Sequence, residues 1–276
     1  MPFRLLCLLS AIFFLSTCSS EPTPEAATTE GNGSFSSFDG ETIAYHQTGD
    51  GPAVVMLHGF INDGSAWRGT ELYRQLVGSG YRVIVPDLRG NGNSYKPHTD
   101  EAYADNAEIK DLIKLVDHLG LKSYIAIGYS RGSIVLAKLL TADKRISRAI
   151  LGGMGIDFTD PDWPLRKQLA AAFNGEPSPE TESAMAYAKS VGADLKVLHL
   201  LQKHQPVTSP AELRSVTTPV LVIAGSSDKN HGDPGQLERL FPNGKLAMMP
   251  GDHNTTYSTP VFTAAVMAYV KAGKER

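Results

Sequence analysis

Cysteine is nearly absent: the 276 residues contain two, Cys7 and Cys18, both within the first eighteen positions. The body that folds after them therefore has neither a disulfide nor a thiolate metal site. A strong charge of either sign is also missing. The formal net charge is −3, with no long basic run, which argues against nucleic acid as the main partner. Phosphate-cradling loops are absent as well, because Gly90-Asn91-Gly92 continues into neither G-x-G-x-x-G nor a G-K-[ST] ending. No internal repeat is present. What remains is 42% hydrophobic and 20% charged, the composition of an ordinary globular chain. A chain this long can bury roughly three quarters of its unfolded surface, so no covalent staple is needed.

The first stretch differs from the rest. Arg4 precedes an apolar run from Leu5 to Leu15 that is too short to span a bilayer comfortably, the pattern of an export signal over residues 1–18. Leu15-Ser16-Thr17-Cys18 resembles a bacterial lipobox, with Thr17 where Gly, Ala or Ser is usual. The resemblance implies lipidation at Cys18 and, with Ser19 rather than Asp next, an outer-membrane anchor facing the periplasm; plain secretion or a periplasmic location is the alternative. Acyl chains contribute about 0.8 kcal/mol per buried CH₂, so several make a durable anchor. A labelled fatty acid should be incorporated by the wild type and not by Cys18→Ala; equal labelling of the two would rule the anchor out. Residues 19–34, rich in Ser, Thr, Glu, Pro and Gly, read as a flexible tether.

From Phe35 the chain alternates. Strands are expected at Phe35 to Phe38, Thr42 to His46, Ala53 to Leu57, Tyr81 to Val85, Tyr124 to Ile127, Arg148 to Leu151, Pro219 to Ala224 and Gly244 to Met249. Helices are expected at Gly64 to Leu76, Asn106 to Leu119, Ser133 to Leu140 and Val261 to Val270. This alternation predicts an α/β fold, a mostly parallel sheet flanked by helices. Between about 154 and 216 strands give way to helical segments: Pro164 to Phe173, Pro179 to Val191 and Ala193 to His204. They read as a helical lid inserted between two strands of one domain spanning 35–276.

In such sheets ligands bind beyond the carboxyl ends of the strands. Those ends carry His58-Gly59-Phe60, Asp87, Ser130, Gly152-Gly153, Asp228 and, after the last strand, His253. Ser130 stands in Gly128-Tyr129-Ser130-Arg131-Gly132, where small residues two before and two after permit a sharp strand-to-helix turn. A serine is a poor nucleophile until a base takes its proton, and the base is best a histidine oriented by a carboxylate.

These segments, with Asp87-Leu88-Arg89-Gly90-Asn91-Gly92-Asn93-Ser94, Gly225-Ser226-Ser227-Asp228 and Gly251-Asp252-His253, together resemble the α/β-hydrolase superfamily from about Phe35 to Ala272. The order Ser, Asp, His is itself the order known for that fold. The resemblance implies Ser130 as nucleophile, His253 as base and Asp228 as orienting acid, with Asp157 and Asp233 as alternatives for the acid. It implies the backbone N–H groups of Phe60 and Arg131 as oxyanion donors. Arg131 departs from the Met, Leu or Gln of many relatives, a difference expected to bear on substrate more than on catalysis. The expected activity is cleavage of a small to medium carboxylic ester by a monomer without cofactor or metal. The alternatives are the same triad on a thioester, lactone, C–C or peracid bond, or a binding protein that has lost turnover. Epoxide and haloalkane chemistry is not expected, since relatives performing it carry Asp where this chain has Ser130. Asp87, Arg89 and His58 read as structural. His98, His118, His199, His204 and His231 read as solvated or satisfied side chains. Trp67, Phe173, Met185 and Tyr187 line a pocket under the lid or form the lid's own core.

Overall fold

The computed structural model describes Met1 and residues 30–272, so the export signal, Cys18 and the first part of the tether lie outside the described residues. The chain runs β1 (Glu30–Ser36), β2 (Thr42–Thr48), β3 (Ala53–Leu57), α1 (Ser65–Arg68), α2 (Glu71–Gly78), β4 (Arg82–Pro86) and α3 (Ala107–His118). It continues with β5 (Tyr124–Tyr129), α4 (Arg131–Ala142), β6 (Ile146–Gly152), α5 (Pro164–Phe173), α6 (Glu182–Ser190), α7 (Leu195–Lys203) and α8 (Pro210–Arg214). It ends with β7 (Val220–Gly225), α9 (Pro234–Glu238), β8 (Gly244–Met249) and α10 (Pro260–Lys271).

One eight-stranded sheet has the order β1-β2-β4-β3-β5-β6-β7-β8. β2 pairs antiparallel with β1 and β4, and the remaining neighbours are parallel. The central strands are buried along their whole length, which is why they read as continuous apolar runs. Alternate residues feed opposite faces. Val55 and Leu57 of β3 pack with Leu112 and Leu115 of α3 and Val135 of α4. Val54 and Met56 pack with Leu72 and Leu76 of α2 and Phe262 and Val266 of α10. The segment between β6 and β7 forms the lid, whose own core joins Phe173, Met185, Val197 and Leu201.

Three boundaries differ from the sequence reading. The tether expected to reach Ser34 ends earlier, because Glu30 to Ser34 already pair with Thr48 to Ala44 of β2. That part of β1 is polar, contains two glycines and is an edge strand with no apolar alternation; its ladder, not its side chains, makes it a strand. The single helix expected over Gly64 to Leu76 is two, interrupted at Gly69-Thr70, where the Thr70 hydroxyl accepts the Tyr73 N–H and starts α2. The helix expected from Pro179 begins as a 3-10 turn before α6. The five-residue α8 and α9 are too short for helical periodicity to register. α8 nonetheless carries a capping box, with Ser209 and Glu212 each bonding the other's backbone N–H.

Candidate active site

The turn from β5 into α4 holds Ser130 at φ 54° and ψ −125°, a conformation that non-glycine residues rarely adopt. Two glycines make this bend feasible. A Cβ at Gly128 would lie 2.4 Å from the Gly132 carbonyl oxygen, and one at Gly132 would lie 2.3 Å from the Leu57 oxygen. The turn is fastened to β6, where the Gly152 carbonyl accepts both the Ser130 N–H at 2.8 Å and the Ser133 hydroxyl at 2.8 Å.

His253 reaches Ser130 from the loop after β8, with Nε2 2.9 Å from the serine Oγ. Its Nδ1 lies 2.7 Å from Oδ2 of Asp228, in the loop after β7. An ionised carboxylate can only accept, so His253 carries its proton on Nδ1 and turns the Nε2 lone pair to Ser130. The two loops are tied together, since the Ser226 N–H donates to Met249 O and the Ser227 N–H to Gly251 O. Tyr129 donates its hydroxyl to the His253 carbonyl at 2.7 Å. Burial, and then the negative charge of Asp228, push the Tyr129 phenol far up, so it stays a donor. Burial alone would raise the Asp228 carboxyl. Hydrogen bonds from His231 and His253 override it and hold Asp228 well below the usual carboxylate range.

The structure thus brings Ser130, Asp228 and His253 together and leaves the alternative acids outside. Asp233 caps α9, its Oδ1 accepting the Gly235 N–H at 2.7 Å. Asp157 lies against the backbone of Gly232. Arg131 opens α4, so its N–H is one of those at a helix start with no acceptor inside the helix. Gly59 packs its Cα against the serine, where an added Cβ would sit 3.4 Å from Ser130 Cβ. This brings the loop holding Phe60 alongside the turn at Ser130.

Beneath that loop His58 is buried and desolvation holds its imidazole below the usual range. Its Nδ1 donates to Gly59 O at 2.9 Å and its Nε2 accepts the Leu88 N–H at 3.1 Å, the structural role expected of it. Asp87 accepts the Gly64 and Asn93 N–H groups, each at 2.8 Å, and is equally structural.

The Arg131 side chain does something the sequence reading did not anticipate. It is buried and binds Glu108 of α3 through two bonds, at 2.7 and 2.5 Å, while donating to Leu201 O of α7 at 3.2 Å. The departure at this position therefore bears first on how the lid sits over the site. Loop residues help: Asp100 takes Lys203 at 2.5 Å and His204 at 2.6 Å, and His98 meets Asp194 at 2.6 Å. His199 bonds Ala170 O at 2.8 Å. Phe60 packs edge-on to Phe173, joining its loop to the lid core. Phe173 and Met185 are lid core, Trp67 is buried beneath the sheet, and Tyr187 is exposed. A cavity of about 410 Å³ opens between the residues after Phe60 and the lid, with Ile61, Asn62, Lys96, Tyr187, Asp194 and Leu198 among its walls. Ser130 and His253 are not part of its lining.

His231 is the residue most clearly missed. Its Nδ1 lies 2.7 Å from Oδ1 of Asp228, and its ring stacks on His253 with centroids 3.7 Å apart. Among the described residues, Asp228, His231 and His253 are the trio whose ligand-type atoms lie within 4.8 Å of one another. Those atoms already bond each other. Both Nδ1 atoms face the Asp228 carboxylate, so the trio is occupied as a hydrogen-bonded cluster.

With this geometry in view, the comparisons with known proteins are specific. A family model described as the alpha/beta hydrolase fold matches residues 52–187. An esterase from Exiguobacterium antarcticum superposes with a TM-score of 0.73 at 22% identity, over 86% of this chain and 98% of that one. A bromoperoxidase from Bacillus anthracis gives a TM-score of 0.73 at 21% identity, over 87% and 100%. The chain has the α/β-hydrolase fold. In sequence, epoxide hydrolase 2 of Siraitia grosvenorii is 35% identical over 99 residues, 36% of this chain and 31% of that protein. Epoxide hydrolase A of Mycobacterium tuberculosis is 35% identical over 102 residues, 36% and 31%. The matched stretch thus spans about a third of these curated relatives. On the α/β-hydrolase fold, Ser130, Asp228 and His253 occupy the loops after β5, β7 and β8, and the lid fills the interval between β6 and β7.

Proposed function

We propose that the protein is a serine hydrolase that cleaves carboxylic esters through an acyl-enzyme. The observation that carries this reading is the continuous relay from Ser130 Oγ through His253 to Asp228, at 2.9 and 2.7 Å. His253 takes the Ser130 proton as Oγ bonds to the acyl carbon, and the Phe60 and Arg131 N–H groups receive the charge that gathers on the carbonyl oxygen. The imidazolium gives that proton to the departing alcohol. The neutral His253 then takes a proton from water as the water oxygen bonds to the acyl carbon, and returns it to Ser130 Oγ as the acyl C–Oγ bond breaks and the acid leaves.

The similarity to epoxide hydrolases invites a rival reading, and the chemistry of the nucleophile weighs against it. An epoxide opened by Ser130 would leave an alkyl ether with no carbonyl for water to attack, and turnover would end there. An acyl group on Ser130 keeps its carbonyl and can be released. The lid core packed against the loop that holds Phe60 favours a small to medium substrate.

A fluorophosphonate probe and a series of p-nitrophenyl esters from acetyl to dodecanoyl, applied to the purified protein, test the proposal. We expect labelling of Ser130 and turnover that falls off toward the long chains. Labelling without turnover of any ester would move the activity to another acyl bond. No labelling of the folded protein would favour a binding role and sink the proposal.

A further inference from the structure

We propose that His231 is a positioning residue for His253, which it holds by its ring face and through a shared carboxylate, and that it thereby sets how readily His253 takes up a proton. The inference rests on the proposed role of His253 as base. Asp228 gives one oxygen to each imidazole, both at 2.7 Å, and is itself almost fully buried. Neither histidine can draw on the whole of its charge. The two rings are nearly parallel, so His231 also fixes the plane in which the Nε2 of His253 faces Ser130.

Two effects follow for proton uptake. Dividing Asp228 weakens the stabilisation that His253 imidazolium receives, compared with a carboxylate serving one imidazole. In acid, a proton on His231 places a second positive charge against the same ring, and like charges at this range disfavour each other. The surrounding charges do not substitute for the shared carboxylate. Asp157, from the turn after β6, lies against Gly232. Asp233 is spent capping α9, and Asp252 holds the turn at Thr255. Lys229 bonds the Ser226 carbonyl. His231 is held from behind, its own carbonyl accepting the Gly155 N–H at 2.8 Å, so the ring is presented by an ordered loop.

The test is the acid limb of kcat/KM against pH for the wild type, His231→Ala, His231→Phe and His231→Gln, read beside melting temperature. In His231→Ala the limb should move up by about one unit, because Asp228 then serves His253 alone. Its plateau should fall severalfold, because the ring has lost its stacked support. His231→Phe keeps the stack and should recover the plateau while the limb stays raised. His231→Gln keeps a donor to Asp228 and should bring the limb back toward the wild type. An unmoved limb in Ala and Phe, with only the melting temperature lowered, would mean a merely structural residue and overturn the inference. A readout without substrate separates this from the ester proposal. Proton NMR should show two strongly low-field Nδ1–H signals in the wild type and one in His231→Ala. The rate of phosphonate inactivation should carry the same pH shift even if no ester is turned over. A single low-field signal in the wild type would count against the shared carboxylate.

Discussion

Ser130→Ala should abolish measurable ester turnover while leaving the fold intact. In serine hydrolases built on this logic, loss of the nucleophile lowers turnover by about 10⁶-fold, and the residue left over reflects binding and the oxyanion hole alone. Asp228→Asn should cost on the order of 10⁴-fold, because an amide has a single accepting oxygen and cannot orient His253 in its Nδ1–H form while also serving His231. The same serine makes a second, opposite prediction for stability. At φ 54° and ψ −125° Ser130 sits in a region where a non-glycine residue costs about 1–3 kcal/mol. Ser130→Gly removes that cost, so it should be as inactive as the alanine variant yet melt a few degrees higher. Initial rates on the best p-nitrophenyl ester, with phosphonate titration to exclude wild-type carry-over, give the first half. Thermal unfolding gives the second. Activity within tenfold of wild type in Ser130→Ala would remove the serine from the chemistry, and a glycine variant no more stable than the alanine one would remove the strain.

The contrast between Ser130 and His231 shows what a sequence of this kind can carry. That Ser130, Asp228 and His253 would meet was legible because residues just past strand ends converge at one edge of the sheet, and continuous apolar runs such as Val220–Gly225 mark those ends plainly. Of the three acids the sequence offered, Asp228 is the one the structure sets against His253, while Asp233 is bound to the amides of α9 and Asp157 lies against Gly232. His231 was not legible, because its role depends on how two loops close on one carboxylate, and no spacing along the chain encodes that. Glu108 lies between these cases. It and Asp111 fall on the same side of α3 as Leu112 and Leu115, and charges on an apolar stripe signal buried ion pairs. That signal was present in the sequence, but only the structure names Arg131 and Arg89 as the partners.

Arg89 yields the largest expected effect on stability. Its side chain is 0% exposed, with Nε and Nη2 bonded to the two oxygens of Asp111 at 2.8 and 2.6 Å and Nη1 to Asp39 at 2.6 Å. Ser37 donates its hydroxyl to Asp111 as well, so the hairpin joining β1 to β2 is fastened to α3 both directly and through this guanidinium. Burial already raises the Asp111 carboxyl in spite of Arg89, which shows how little water reaches it. Arg89→Met leaves that carboxylate uncompensated and should cost about 3–5 kcal/mol. Against a total stability of about 5–15 kcal/mol, this is a loss of roughly 6–20 °C in melting temperature. The deficit has a direction in pH. Without Arg89 the folded carboxyl of Asp111 titrates above its unfolded value of about 3.9. The variant's shortfall should therefore be small near that value and grow as pH rises through the folded one, reaching its full size at neutrality. Arg89→Met with Asp111→Leu removes both charges and should return most of the loss, since apolar replacement of a whole buried pair is close to neutral. Urea unfolding of the two single variants and the double variant at pH 5 and pH 7.5 measures this. A single variant within about 1 kcal/mol of wild type, or a double variant no better than the single, would show that the fold does not depend on this buried pair.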